Sequence, residues 1–279
     1  MVQEISIEGY FSLDQEIQSR LEETVRKIIS KVHYLCTYQD IVPIFEKSAG
    51  DEQINLDTAA TEIIFKDYSD IGIFTEEGEQ TSLTPELIVA DPIDGSSEAN
   101  RMGPYSNPLS TSIMLIRDNK IIGAAAGDIW KKRVYGINNN GLYWINPDHK
   151  DIRTYVVCNK RDQQIRLAAY ARTSKYAKVA QEIFRFVELG VISYFGNDGG
   201  GMFPIEVALG RERGYNCAAE LLPVPLYEHI TAIMATKAGA KLSRLDGTPL
   251  EINHEIKQTS IVAANDSIRE TLIQRLKDI

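Results

Sequence analysis

The chain has 279 residues, 43% of them hydrophobic and 25% charged, enough apolar material for a sizeable core without disulfide or zinc staples. Lys and Arg number 30 against 39 Asp and Glu, and the formal charge of −9 excludes packaging of nucleic acid by bulk electrostatics. An anionic ligand must therefore be held locally, with metal ions as helpers. The cysteines Cys36, Cys158 and Cys217 are too dispersed for a disulfide framework or a thiolate zinc site, and no His-Glu-x-x-His spacing occurs. The N-terminus is acidic and no apolar run is long enough for a bilayer, so a cytoplasmic chain without membrane or nucleic-acid partners is expected.

In chain order, Ile17, Leu21, Val25, Ile28, Ile29 and Val32 recur at helical spacing, with Ser12 and Gln15 placed to form a capping box. A second helix is predicted from about Asp57, carrying Ala59, Ala60, Ile63 and Ile64. The runs IGIFT (71–75) and LIVA, just before Asp91, read as short strands leading into acidic residues. Segments 111–117, 121–128, 133–137 and 142–145 read as a strand meander with turns at Asp118-Asn119 and Asn140-Gly141.

The polar stretch 145–151 is the expected boundary, giving an α+β domain over 1–147 and an α/β domain over 148–279. The second half alternates: helix at 174–188, strand at 191–195, helix at 202–209, strand at 213–217 and helix at 226–238. A last strand at 260–264 precedes a helix bearing Ile268, Leu272, Ile273 and Leu276.

The chemistry concentrates at 86–100. An apolar strand ends in Asp91-Pro92-Ile93-Asp94-Gly95-Ser96-Ser97, where Pro92 and Gly95 turn the backbone so that two carboxylates can converge. Those carboxylates and the Ile93 carbonyl are hard oxygen donors suited to Mg²⁺. Gly95, Ser96 and Ser97 offer N–H and hydroxyl groups for a phosphate. Glu76-Glu77, after another strand, can supply a third carboxylate. Taken alone, D-P-x-D-G is also an ordinary turn composition.

The order of these pieces resembles the inositol monophosphatase and fructose-1,6-bisphosphatase superfamily of Mg²⁺-dependent, lithium-sensitive phosphatases. Asp57 in INLDTAATE, Glu76-Glu77 in FTEEGE and DPIDGSS at 91–97 are similar to its metal-site segments. GGGMFPIEVALGRERGY (199–215), KAGAKLSRLDGTPL (237–250) and IVAAN (261–265) are similar to its second half, so the resemblance covers nearly the whole chain. It implies alternating α-β-α-β-α layers, two or three Mg²⁺ ions and a homodimer.

By that resemblance Glu76, Asp91 and the Ile93 carbonyl hold one metal, and Asp91, Asp94 and Glu228 hold another. Asp57 and Ser96 form a proton relay, Gly95, Ser96 and Ser97 bind phosphate, and Gly200, Gly201 and Glu220 face the substrate. Glu228 stands where the family has an Asp, in LYEHITA at 226–232, and His229 is the alternative ligand there. Glu98-Ala99 and Ser96-Ser97 also depart from the inositol monophosphatase pattern, which leaves the substrate open.

The expected activity is hydrolysis of a small polyol, cyclitol or sugar phosphate by metal-activated water. The alternatives are a fructose-1,6-bisphosphatase, a 3′-phosphonucleotide phosphatase, or a catalytically weakened relative with a binding role.

Overall fold

The computed structural model describes residues 7–38, 43–48, 51–96, 109–145, 152–158, 164–169, 181, 185–188, 192–196, 201–210 and 215–276. The backbone divides into two compact units. One comprises Phe11–Tyr155 with Gly200–Met202; the other comprises Met1–Tyr10, Val156–Gly199 and Phe203–Ile279.

The first of these contains α1 (Gln15–Tyr38), the hairpin β1 (Pro43–Ser48) and β2 (Asp51–Ile54), and α2 (Asn55–Asp67). Eight further strands follow: β3 (Gly72–Thr75), β4 (Gly78–Gln80), β5 (Glu86–Asp94), β6 (Ser110–Arg117), β7 (Lys120–Asp128), β8 (Arg133–Asn138), β9 (Gly141–Ile145) and β10 (Arg153–Tyr155). They form one sheet in the order β10-β9-β8-β7-β6-β5-β3-β4. Only β3 and β5 run parallel; the other neighbours are antiparallel. The meander read from the sequence is thus present, and β10 extends it past the polar stretch at 145–151.

Helix α1 is amphipathic as its spacing requires, with Leu21, Val25, Ile28 and Val32 fully buried. Its cap is Asp14, not Ser12: Asp14 Oδ1 accepts the N–H groups of Glu16 at 2.9 Å and Ile17 at 3.0 Å. The Ser12 N–H instead donates to the Ile121 carbonyl at 2.9 Å, which ties that residue to β7. The helix presses onto β7 and β8 where glycines leave room. A Cβ on Gly127 would lie 2.8 Å from Val25 Cγ1 and Ile29 Cδ1. Gln18 is locked beneath, its amide bonded to both the N–H and the carbonyl of Ala124.

In the other unit β11 (Ile165–Ala169), β12 (Ile192–Gly196), β13 (Cys217–Val224), β14 (Lys241–Ser243) and β15 (Gln258–Ala263) form a mixed sheet ordered β12-β11-β13-β15-β14. Its helices are α3 (Phe203–Leu209), α4 (Ile230–Thr236) and α5 (Asp266–Leu276). The strand expected at 213–217 instead runs from Cys217 to Val224. Cys-Ala-Ala has weak strand propensity and Pro223 argues against a strand, so composition hides it. The helix expected over 226–238 is a 3-10 turn, Leu226–His229, followed by the short α4. Most of the helix expected at 174–188 lies outside the described residues. Both units are mixed α+β.

Candidate metal centre

Strand β5 does not stop at Asp91; it continues to Asp94 through a bulge. Its pairing with β6 runs in register to Asp91↔Ser112, then resumes at Asp94↔Ser110, so three steps on β5 oppose two on β6. In a regular strand, residues three apart point to opposite faces. The extra residue cancels that alternation, and carboxylate oxygens of Asp91 and Asp94 lie within 4.8 Å of each other. Pro92, which cannot donate to a ladder, sits inside the bulge, where it is tolerated. The next residue, Gly95, has φ +83°, a left-handed conformation that favours glycine.

Asp91 is 3% exposed, and Asp94 is braced on one oxygen. Ser110 Oγ donates to Asp94 Oδ2 at 3.3 Å, and the Gly201 N–H donates to the same atom. A side chain at Gly201 would begin 3.2 Å from that oxygen, so the approach depends on glycine. Burial pushes the Asp94 carboxyl above the usual carboxylate range, while the donors Gly201, Ser110 and Gly95 pull it back. A divalent cation at the pair would favour the ionised forms that burial opposes. A buried and a half-buried carboxylate beside the Ile93 carbonyl are an all-oxygen donor set that fits Mg²⁺.

The remaining residues of the first unit are arranged around this turn. Parallel pairing sets Thr75 opposite Ala90, so Glu76 leaves β3 level with Asp91 on β5. Glu76 itself is exposed. Thr75 Oγ1 fixes its turn by accepting the N–H groups of Glu77 and Gly78, both at 3.1 Å. Asp57 occupies the first turn of α2, which packs against β5, and is 1% exposed. Ser96 is half-buried. Ser97, Gly199 and Gly200 lie outside the described residues, as do Asp198 and the cations Arg101, Arg172 and Lys175, candidates for a second substrate phosphate.

In the second unit Glu220 sits on β13 opposite Ser260, half-buried. Glu228 is half-buried on the 3-10 turn. His229 is fully buried, with Nε2 3.1 Å from the Gln258 carbonyl and its pKa pushed down to about 4 by desolvation. That packing engages Nε2 with the backbone, and the acidic cluster of Asp91, Asp94 and Glu228 does not include His229. Ser110, the brace of Asp94, carries no sequence signal, being an ordinary strand serine.

No family model matches the chain, and no curated protein matches it in sequence. Solved structures do. SuhB (extragenic suppressor protein) of Bartonella henselae superposes with a TM-score of 0.73 at 17% identity, covering 94% of this chain and 99% of that one. SuhB of Mycobacterium tuberculosis gives 0.69 at 17% identity, over 96% and 98%. An inositol monophosphatase/NADP phosphatase complexed with Mg²⁺ and phosphate gives 0.73 at 14% identity, over 95% and 96%.

The fold is that of the inositol monophosphatases. A further match is an inositol monophosphatase-II bound to inositol monophosphate, with a TM-score of 0.70 at 14% identity over 94% of this chain and 95% of that one. The bulged Asp91–Asp94 turn therefore belongs to a chain with the inositol monophosphatase fold over nearly its whole length.

Proposed function

We propose that the protein is an Mg²⁺-dependent phosphomonoesterase acting on a small polyol, cyclitol or sugar phosphate. The observation that carries this is the β5 bulge, which holds a buried Asp91 and a braced, half-buried Asp94 together where alternation would separate them. Carboxylates converging in a largely buried turn repel each other unless a cation is bound, so their convergence supports a metal role. Bound Mg²⁺ supplies positive charge for the phosphoryl oxygens and lowers the pKa of a coordinated water.

The chain's own groups divide the remaining work. Asp91, Asp94 and the Ile93 carbonyl are the core donors, with Glu76 and Glu228 as the additional carboxylates. Ser96 and Asp57 form a relay in which the Ser96 hydroxyl takes the proton of the attacking water as it passes its own to the Asp57 carboxylate. The N–H groups of Gly95 and Ser96 hold the phosphate as the left-handed Gly95 turns the backbone, an arrangement that suits an anion. Gly200, Gly201 and Glu220 contact the alcohol part of the substrate. A cytoplasmic homodimer is expected, and none of the three cysteines is in a disulfide. No helix among the described residues is long and apolar enough to cross a membrane.

The test is phosphate release from a panel of inositol, sugar, polyol and nucleoside monophosphates, with Mg²⁺ and with EDTA. Turnover that requires Mg²⁺ and is abolished by Asp91→Asn or Asp94→Asn is expected. Full turnover in EDTA, or no turnover of any ester by the well-folded protein, would overturn the proposal.

A further inference from the structure

A second cleft, wholly within the first unit, lies where the start of α1 meets the β8–β9 turn and the edge strand β10. Its volume is about 290 Å³, and its polar lining includes Asp14, Gln15, Asn139, Asn140, Arg153 and Tyr155. In the sheet order β10 stands five strands from β5, roughly 24 Å at ordinary strand spacing. The cleft is therefore separate from the candidate metal centre.

Its electrostatics exclude an anion. The one guanidinium, Arg153, is already matched to a carboxylate: its terminal nitrogen is 4.0 Å from buried Glu22, and it stacks 4.7 Å above the Tyr143 ring. Glu22 also receives the Tyr143 hydroxyl and the Gln18 amide, so the floor is a tight, charge-balanced network. The N–H groups at the start of α1 are occupied by Asp14, whose own charge at the cleft repels phosphate. A cation gains little either, because the Arg153 guanidinium lines the same cleft as Asp14.

Groups suited to neutral hydroxyls remain. Among the described residues the side-chain amides of Gln15 and Asn139 have no protein partner. Asp14 keeps its second carboxylate oxygen, and Arg153 has N–H donors beyond those turned to Glu22. Tyr155 is 43% exposed, yet its hydroxyl is fixed by the Asn138 amide at 2.9 Å and its ring stands edge-on to Tyr143 at 5.7 Å. It is thus a positioned aromatic face, bordered by donors and acceptors of both kinds. The volume admits a single small ring and little more.

We propose that this cleft binds a neutral polyhydroxylated molecule, a free monosaccharide or cyclitol. Its C–H face would pack on Tyr155, and its hydroxyls would pair with Asn139, Gln15, Asp14 and Arg153. The proposal does not depend on the reaction assigned to the metal centre.

The experiment is saturation-transfer NMR and calorimetric titration of the full chain in EDTA with glucose, mannose and myo-inositol. Inorganic phosphate and glucose 6-phosphate serve as anionic comparisons. Saturable binding of at least one neutral ligand is expected, unchanged in Asp94→Asn and weakened about tenfold in Tyr155→Ala, the scale of one lost aromatic contact. Asn139→Ala, on an exposed turn, should weaken it as well. The proposal is overturned if no neutral ligand binds, if phosphate competes, if Asp94→Asn abolishes binding, or if Asn139→Ala and a folded Tyr155→Ala bind as the parent does.

Discussion

Ser110→Ala isolates the bracing of Asp94 from the fold around it. The substitution removes the hydroxyl that donates to Asp94 Oδ2 at 3.3 Å and leaves the Gly201 N–H on the same atom. Hydrogen bonds to charged groups contribute about 1.5–3 kcal/mol. This one is long and one of several, so about 1 kcal/mol is the appropriate size, equal to about fivefold in a binding constant. Ser112→Ala is the matched control: its serine is also buried on β6, but pairs with Asp91 through the backbone ladder. Calorimetric titration with Mn²⁺ should show Ser110→Ala about fivefold weaker than the parent and Ser112→Ala within twofold of it. Equal affinities for all three proteins, each fully folded, would refute the view that Asp94 is a cation ligand held by Ser110.

Two further outcomes concern stability. Gly127→Ala places a methyl 2.8 Å from Val25 Cγ1 and Ile29 Cδ1, and should lower stability by about 1–3 kcal/mol in urea titration. Val25→Ala in the same chain should recover part of that loss, and an unchanged midpoint for Gly127→Ala would contradict the close seating of α1. Folded His229 titrates near 4 and unfolded His near 6.5, so the unfolded state binds more protons between those values and stability falls as the pH drops through that window. The full loss is on the order of 3 kcal/mol. Thermal melts of the metal-free protein at pH 7 and pH 5 should show the decline, and His229→Gln should flatten it.

Much of this was legible in the residues, because the strongest signals are local. The apolar spacing of Ile17 to Val32 produces α1, and the β6–β9 meander follows from short strand segments separated by turns such as Asn140-Gly141. The Asp91–Asp94 motif was visible because Pro92 and Gly95 punctuate it. What stayed hidden depends on partners distant in sequence. The continuation of β5 through the bulge requires β6 opposite it, and Ser110 and Gly201 matter only because the fold brings them to Asp94. His229 reads as a ligand candidate in sequence, yet the fold packs it against the Gln258 carbonyl. The Asp14 cap displaced Ser12 for a similar reason, since the Ile121 carbonyl had already taken the Ser12 N–H.

The most direct measurement is a crystal soaked in Mn²⁺ and examined at the manganese absorption edge. Anomalous density is expected against the carboxylates of Asp91 and Asp94 and the Ile93 carbonyl, with the Glu228 carboxylate in the same coordination shell. Manganese bound elsewhere, or none at an intact Asp91–Asp94 turn, would contradict this assignment.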